Sequence, residues 1–241
     1  MMLWIRKIHK WASLLVGLQI LIWLTSGLVF NVIDHNKASG NAYRQTAMAE
    51  QPTLANKALL PVKSVLKLYP ATLELNQISL LSQPYYLLTQ QQGLYRHFAN
   101  SYHLVNAITG ELILVDEPFA KAIAKATYNG PGKIKSVELI LPPITDFLKH
   151  KNPSWQINFT DDLTTSVYVE QGSGRLVGHS NSDKRFADFF FMLHFMDYGN
   201  AGSFNTIQII LFAFITLWLT LSGLIWTLHM LRKGQYRLNK F

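Results

Sequence analysis

Cysteine is absent from this 241-residue chain, and charged side chains make up only 15% of it. Without cysteine the protein has no disulfide, no thiolate-bound metal and no iron–sulfur cluster. The shortage of charge is greatest in residues 11–33 and 207–228, which contain no charged side chain. Each stretch is long and apolar enough to cross the ~30 Å hydrocarbon layer of a bilayer as a helix. We therefore predict a membrane protein in which two antiparallel transmembrane helices flank one polar insert.

The basic residues behind the net charge of +8 lie mainly beside these two stretches. They are Arg6, Lys7 and Lys10 before the first stretch, and Arg232, Lys233, Arg237 and Lys240 after the second. Between residues 36 and 202, fifteen basic and thirteen acidic side chains leave a net charge of only +2. Because Lys and Arg mark the cytoplasmic ends of spans, we expect cytoplasmic termini, a periplasmic insert and a bacterial inner-membrane location. The insert has no basic stripe, so nucleic acid is not an expected partner.

The insert contains a pattern that occurs twice. Helical spacing at 57–69 and again at 118–128 is followed each time by short β-like runs and a tight turn with a central glycine. These runs are 77–81, 85–89, 94–98, 102–107 and 112–115 in the first unit, and 135–141, 155–159, 165–169 and 176–179 in the second. The helices start 61 residues apart and the turn glycines, Gly110 and Gly174, lie 64 apart. We interpret this as an internal duplication of an α+β unit, one helix on a small antiparallel sheet.

These patterns divide the whole chain. The first apolar stretch is long for a secretory signal and lacks a clear A-x-A cleavage site, so we interpret it as an uncleaved anchor. The predicted parts are 1–35 with the first span, a linker at 36–55, repeats at 56–117 and 118–183, an interfacial helix at 184–202, the second span at 203–231 and a tail at 232–241.

Four histidines lie at the ends of the apolar stretches. The predicted topology pairs His9 with His229 at the cytoplasmic surface and His35 with His194 at the periplasmic surface. Imidazoles on facing helices are a common way to hold haem iron, although a boundary histidine can also simply extend its ring to water. His9 and His35 are roughly 39 Å apart along a helix, so one haem could not contact both.

The two apolar stretches also resemble each other. Residues 24–30 (LTSGLVF) parallel residues 219–226 (LTLSGLIW). An inverted repeat of this kind maps His9 onto His194 and His35 onto His229. Because 28 residues separate His194 from Ser222, against seventeen between His9 and Ser26, the second copy requires a bend near 199–203.

The remaining candidates have simpler interpretations. The insert histidines, His97, His103, His150 and His179, are expected to be exposed to solvent. Asp161 and Asp162 are expected to form a turn between strands. Trp23 and Trp218 are expected to pack within the membrane rather than to serve as a relay.

Several short motifs together resemble the PepSY-associated transmembrane family. They are R-K-I-H-K-W at 6–11, T-S-G-L at 25–28, the N-x-x-T-G-E turn at 106–111, F-x-x-x-L-H at 189–194 and S-G-L-I-W at 222–226. The resemblance implies that the two repeats are PepSY modules, small helix-plus-sheet units. It further implies that His9, His35, His194 and His229 are axial ligands of haem b, with one or two haems per chain. Members of that family include siderophore-iron reductases.

The function that we expect is electron transfer across the membrane to reduce ferric iron, held by a siderophore or a similar chelate. Larger family members have four or more spans, so we expect a second copy or a partner membrane subunit, besides lipid, to cover the helices. Only about ten residues follow the second span, so electrons would come from a separate flavin reductase or from quinol. Two alternatives stay open: a non-catalytic PepSY protein that binds or regulates a peptidase or envelope partner, and an accessory subunit of a membrane complex.

Overall fold

The computed structural model describes residues 2–45, 58–95, 98–199, 201–203 and 205–234. It contains two compact units. The membrane unit comprises Met1–Val32 and Phe189–Phe241, and the insert unit comprises Ile33–Asp188. The helices are α1 (Met2–Val32), α2 (His35–Ala38), α3 (Val62–Leu68), α4 (Glu117–Thr127), α5 (Ser182–His194) and α6 (Ile207–Arg232). The strands are β1 (Glu74–Leu80), β2 (Gln83–Gln91), β3 (Ser101–Asn106), β4 (Leu112–Ile113), β5 (Ile134–Ile140), β6 (Ser154–Phe159), β7 (Ser166–Glu170) and β8 (Leu176–Ser180).

Helices α1 and α6 form the membrane unit and are each long and apolar enough to span a bilayer. Their best apolar windows are only 17% and 6% buried, so most of the apolar surface faces outward, as lipid contact requires. His9 near the start of α1 meets Ser222 near the end of α6, whereas Trp23 meets Phe212 near the start of α6. The two helices therefore run antiparallel, as the sequence predicted.

The first half of the insert unit is α3 followed by an antiparallel sheet in the order β1-β2-β3-β4. One face of this sheet packs against α3 through Val65, Tyr86 and Leu88. The alternate residues of β2, Tyr85 and Leu87, belong to a different buried cluster. Strand β2 is therefore buried on both faces, which explains its continuous apolar sequence.

The second half repeats the order, with α4 followed by the antiparallel sheet β5-β6-β7-β8. Helix α4 starts where the Asp116 carboxylate accepts a hydrogen bond from the Phe119 N–H, and Pro118 occupies its first turn. Its buried face, Ala120, Ile123 and Ala124, shares one core with both sheets. The α+β architecture with two helix-plus-sheet repeats is thus confirmed.

The turns that close the repeats have the same geometry. Gly110 and Gly174 have φ values of 78° and 68°, which favour glycine. Each glycine N–H donates over 2.9 Å to the carbonyl four residues earlier, on Asn106 and on Glu170. The donors of these two hydrogen bonds lie 64 residues apart, and so do the acceptors, which supports the predicted duplication.

Several predicted elements differ from the structure, among them the predicted interfacial helix at 184–202, which begins at Ser182 and ends at His194. Residues 94, 95 and 98, expected in a strand, lie in a loop. The Asn100 side chain accepts from the Gly93 N–H over 2.7 Å and donates to the Phe98 carbonyl over 2.8 Å, so local side-chain bonds replace a strand ladder there. Helix α3 starts at Val62, after Pro61, and the predicted start at residue 57 lies outside the described residues.

The described part of the predicted linker, residues 36–45, pairs with the second repeat. The Gln45 N–H donates to the Thr127 carbonyl over 2.8 Å, and the Asn129 N–H donates to the Tyr43 carbonyl over 3.1 Å. The Tyr43 hydroxyl also donates to Asp162 over 2.7 Å. This segment is therefore fixed along the end of α4, while residues 46–55 lie outside the described residues.

Candidate functional site

His9 contacts the second span at a serine–glycine step. Its Nδ1 lies 3.2 Å from the Ser222 Oγ. The His9 Cε1 faces Gly223, where an added Cβ would lie 3.9 Å away, an ordinary contact distance. The Trp218 ring lies beside the imidazole, with centroids 6.2 Å apart. We call this group the inner couple.

His194, at the end of α5, contacts the first span in the same manner. Its Nδ1 lies 2.8 Å from the Ser26 Oγ. An added Cβ on Gly27 would lie 3.9 Å from the His194 Cε1. The rings of Trp23 and Phe30 lie 6.5 and 5.4 Å from the imidazole. We call this group the outer couple.

The two couples have matching partners: His9 on α1 meets Ser-Gly on α6, and His194 on α5 meets Ser-Gly on α1. In each, a histidine from one segment meets a Ser-Gly pair on the other, with a tryptophan three or four residues before the serine. The inverted repeat predicted His9 and His194 as counterparts, and their matching surroundings agree with it. The serines were not predicted as histidine partners, although the Ser-Gly echo at 26–27 and 222–223 carried the signal.

The bend that the spacing required lies between α5 and α6. The buried Asp197 carboxylate accepts hydrogen bonds from the N–H groups of Ala201, Gly202 and Ser203, at 3.0, 2.7 and 3.3 Å. The Thr206 hydroxyl then caps α6 by accepting from the Ile209 N–H. This loop accounts for the extra residues between His194 and Ser222.

Seventeen residues separate His9 from Ser26 on α1, a rise of about 25 Å. The couples therefore lie toward opposite sides of a ~30 Å hydrocarbon layer. Between them Trp23 packs edge-on against Phe212 at 5.4 Å, in a small core with Val16 and Met196. This agrees with the packing role expected for Trp23.

The other two predicted ligands are exposed. His229 lies on α6, two turns beyond Ser222 on the same helix face, which is about 10 Å along the axis. His35 begins α2 in the insert unit, where the Asp34 carboxylate accepts from the Lys37 N–H. The pairings of His9 with His229 and of His35 with His194 stay predictions. Within the described residues, no group of three or more His, Asp or Glu side chains could hold a metal ion by itself.

The expectation of exposed insert histidines is wrong for two of them. His150 and His179 are 8% and 2% exposed. His179 lies on β8, where its Nε2 is 3.1 Å from the Thr127 hydroxyl. Burial lowers its pKa to about 4, with the positive charge of Arg44 acting in the same direction. His103 is partly buried beside Tyr69, and His97 lies outside the described residues.

The Asp161–Asp162 pair forms a turn, as predicted. The Asp161 carboxylate accepts from the N–H groups of Leu163 and Thr165, each over 3.0 Å. It also accepts from the Tyr128 hydroxyl over 2.7 Å. These three hydrogen bonds give Asp161 a structural role in the turn.

Two paired carboxylates, Glu170 on β7 and Asp146 in the short 3-10 turn at 145–147, were not predicted. Glu170 is 2% exposed and accepts from Asn152 over 2.8 Å, from Arg175 over 3.1 Å and from Ser173. Nearby, Asp146 accepts from the Arg185 guanidinium over 2.9 Å. Burial acts to raise the pKa of Asp146, but its hydrogen bonds and the Arg185 charge together hold that pKa below its ordinary value. Both carboxylates have hydrogen-bond donors and a cationic partner, which offset the cost of removing them from water.

A sequence model for the family described as PepSY-associated TM region matches residues 6–241. The chain belongs to this family. Comparisons with curated proteins and with solved structures found no match. The family confirms the resemblance drawn from the short motifs, and it identifies the chain as a PepSY membrane protein.

Proposed function

We propose that this PepSY membrane protein holds haem b at its histidine–serine couples and transfers electrons across the bacterial inner membrane. The acceptor would be ferric iron in a siderophore or a similar chelate on the periplasmic side. The observation that carries this proposal is the pair of couples: two imidazoles in matching surroundings, about 25 Å apart along one helix pair. A protein with a single haem site would not need a second histidine–serine couple at the other membrane surface.

The surroundings of the inner couple fit a flat, largely apolar cofactor. A groove of about 690 Å³, within the range of small-molecule sites, shares Trp218 with the inner couple, while His9 and Ser222 lie outside its lining. Its walls include Ile8, Trp11, Leu15 and Trp218, and Lys7 is its charged member. Aromatic and aliphatic walls suit a porphyrin ring, and a lysine at the rim suits its carboxylates. When bound, haem would supply one-electron chemistry at iron.

The chain's own residues would have distinct roles. His9 on α1 and His194 on α5 would each bind the iron of a haem. His229 and His35, both exposed, would supply the second ligands, within the chain or from another copy or a partner subunit. Because α1 and α6 expose most of their apolar surface, lipid and such a partner would cover them. A flavin reductase or quinol would donate the electrons.

Basic flanks support the direction of transfer. Lys7 and Lys10 precede the first span, and Arg232 and Lys233 follow the second. By the positive-inside rule these ends would be cytoplasmic, which would place the inner couple near the electron donor. The insert unit would then be periplasmic, on the side of the ferric chelate.

Visible spectroscopy of the purified full-length protein from haem-sufficient cells tests the proposal. We expect a Soret band that shifts on reduction with dithionite. His9→Ala and His229→Ala should each lower the haem content, whereas His97→Ala, in the insert, should leave it unchanged. A colourless wild-type protein would contradict the proposal. It would favour a non-catalytic PepSY protein that regulates a peptidase or envelope partner, or an accessory subunit.

A further inference from the structure

We infer that Ser26 and Ser222 are positioning residues that fix the tautomer of the histidine each one faces, so that His194 and His9 both present Nε2 as their metal-binding nitrogen. The identity of the metal group rests on the proposed function. The tautomer itself follows from the hydrogen bonds around the serines.

A serine hydroxyl has one hydrogen to donate. The Ser26 Oγ lies 2.7 Å from the carbonyl oxygen of Ile22, one turn earlier on α1. The Ser222 Oγ lies 2.9 Å from the carbonyl oxygen of Leu219 on α6. Two oxygens at such distances repel each other unless a hydrogen lies between them, and a carbonyl oxygen has none to give. The single hydrogen of each serine is therefore used on its own helix.

Each serine oxygen is consequently an acceptor toward the imidazole. The contacts from His194 Nδ1 to Ser26 and from His9 Nδ1 to Ser222, at 2.8 and 3.2 Å, must be donated by the ring. A neutral imidazole carries one N–H, so Nε2 holds the lone pair in both residues. A metal ion binds the ring nitrogen that holds a lone pair, and in this tautomer that nitrogen is Nε2.

The same bond would also orient the ring. Histidine ligands usually donate their second nitrogen to an acceptor, and loss of that acceptor typically weakens metal affinity about 10- to 100-fold. Here the acceptor is a hydroxyl already bound to a rigid helix, so it cannot rotate away without losing its own bond. The serines would thus hold each imidazole ready for ligation before any metal arrives.

The tautomer is tested directly by nitrogen NMR of the full-length, haem-free protein labelled with ¹⁵N-histidine, in micelles above pH 7. We expect the His9 and His194 signals of a ring protonated at Nδ1, assigned by the loss of one signal in each His→Gln variant. Signals of the Nε2-protonated ring at either residue would overturn the inference for that couple.

Haemin titration gives the second readout. Ser222→Ala and Ser26→Ala should each weaken haemin binding about 10- to 100-fold at one site, and Ser222→Thr and Ser26→Thr should restore it. Ser13→Ala is the matched control, because Ser13 is exposed and donates to the His9 carbonyl in the same one-turn manner, over 2.8 Å. Unchanged affinity in both serine-to-alanine variants would overturn the positioning role.

The two tests separate this inference from the proposed function. If the Nδ1-protonated form is found and the wild-type protein binds no haemin, the tautomer assignment stands and the haem proposal fails. If haemin binds and the rings are protonated at Nε2, the haem proposal stands and this inference fails.

Discussion

His179 is a buried histidine that the duplicated insert keeps neutral. It is 2% exposed on β8, and its Nε2 meets the hydroxyl of Thr127 at the end of α4. That hydroxyl donates to the carbonyls of Ile123 and Ala124, so it accepts from the imidazole. A charged imidazole here would have to be desolvated, which is why burial lowers its pKa to about 4.

Acid should therefore destabilise the insert unit. Because the folded-state pKa lies below the unfolded value of 6.5, the unfolded chain takes up the proton first. The contribution of neutral His179 to the free energy of unfolding is complete above pH 6.5. As the pH falls toward 4, the free energy of unfolding decreases by on the order of 3 kcal/mol. Urea unfolding of the full-length protein, followed by circular dichroism at several pH values, should show this loss.

A substitution isolates the contribution of His179 to that pH dependence. His179→Gln should flatten the slope of unfolding free energy between pH 6.5 and 4, while it also lowers stability at neutral pH. Equal slopes in the wild type and in His179→Gln would contradict the buried, neutral assignment.

Residue-level burial was the least predictable property of the insert. His179 and Glu170 belong to polar residue types that are seldom buried, and short strand patterns do not reveal which face is covered. Thr127 lies 52 residues from His179, and Asn152 lies 18 residues from Glu170, so the tertiary fold brings these partners together and excludes water. The turn at Asp161, by contrast, depends on residues 163 and 165 and was predictable from local sequence.

At the scale of elements, α5 with α6 is an interrupted counterpart of α1. In α1 the histidine and the Ser-Gly pair lie on one continuous helix, whereas in the second copy a break between α5 and α6 separates His194 from Ser222. The loop turns the chain after the histidine so that each copy meets the Ser-Gly pair of the other. The Asp197 carboxylate holds this turn together through three backbone N–H groups.

Asp197→Ala should loosen the outer couple and spare the inner one. Removing the carboxylate leaves N–H groups of residues 201–203 without their acceptor, at a cost of about 1–3 kcal/mol for each group that stays buried. Hydrogen exchange should show faster exchange at residues 201–203 and in α5 near His194, with unchanged rates around His9. Asp188→Ala, which removes an exposed ion pair with Lys184, is the control and should change little.

Two results would contradict the role of Asp197 in holding the outer couple. One is hydrogen exchange at residues 201–203 that is as slow in Asp197→Ala as in Asp188→Ala. The other is equally faster exchange around both couples, because the Asp197 turn would then support the whole helix pair.

The long elements were predictable and the site geometry was not. Uncharged runs of more than twenty residues define α1 and α6, and the repeated helix-then-strands order defines the two sheets. The prediction of a strand at 94–98 was wrong for the described residues 94, 95 and 98. The Asn100 side chain makes hydrogen bonds to the loop backbone there, and a hydrophobic pattern does not reveal such bonds. The partners in the couples lie 213 and 168 positions apart, so the Ser-Gly echo marks them in the sequence but only the tertiary fold shows that they meet the histidines.

The whole molecule combines two kinds of internal repeat. The insert is a direct tandem duplication whose second helix, α4, shares a core with both sheets. The membrane unit is an inverted duplication in which each copy completes the histidine site of the other. Inverted repeats in membrane proteins place equivalent sites symmetrically about the bilayer, which would suit the proposed transfer of electrons from one surface to the other.

The haem-to-protein ratio of purified full-length protein tests the central claim most directly. It should be measured by pyridine haemochrome and protein assay for the wild type, His9→Ala, His194→Ala and the double variant. Two equivalent sites predict that each single variant loses the haem of its own couple and that the double variant binds none. A double variant that keeps the wild-type haem ratio would contradict the assignment of the couples as the redox site.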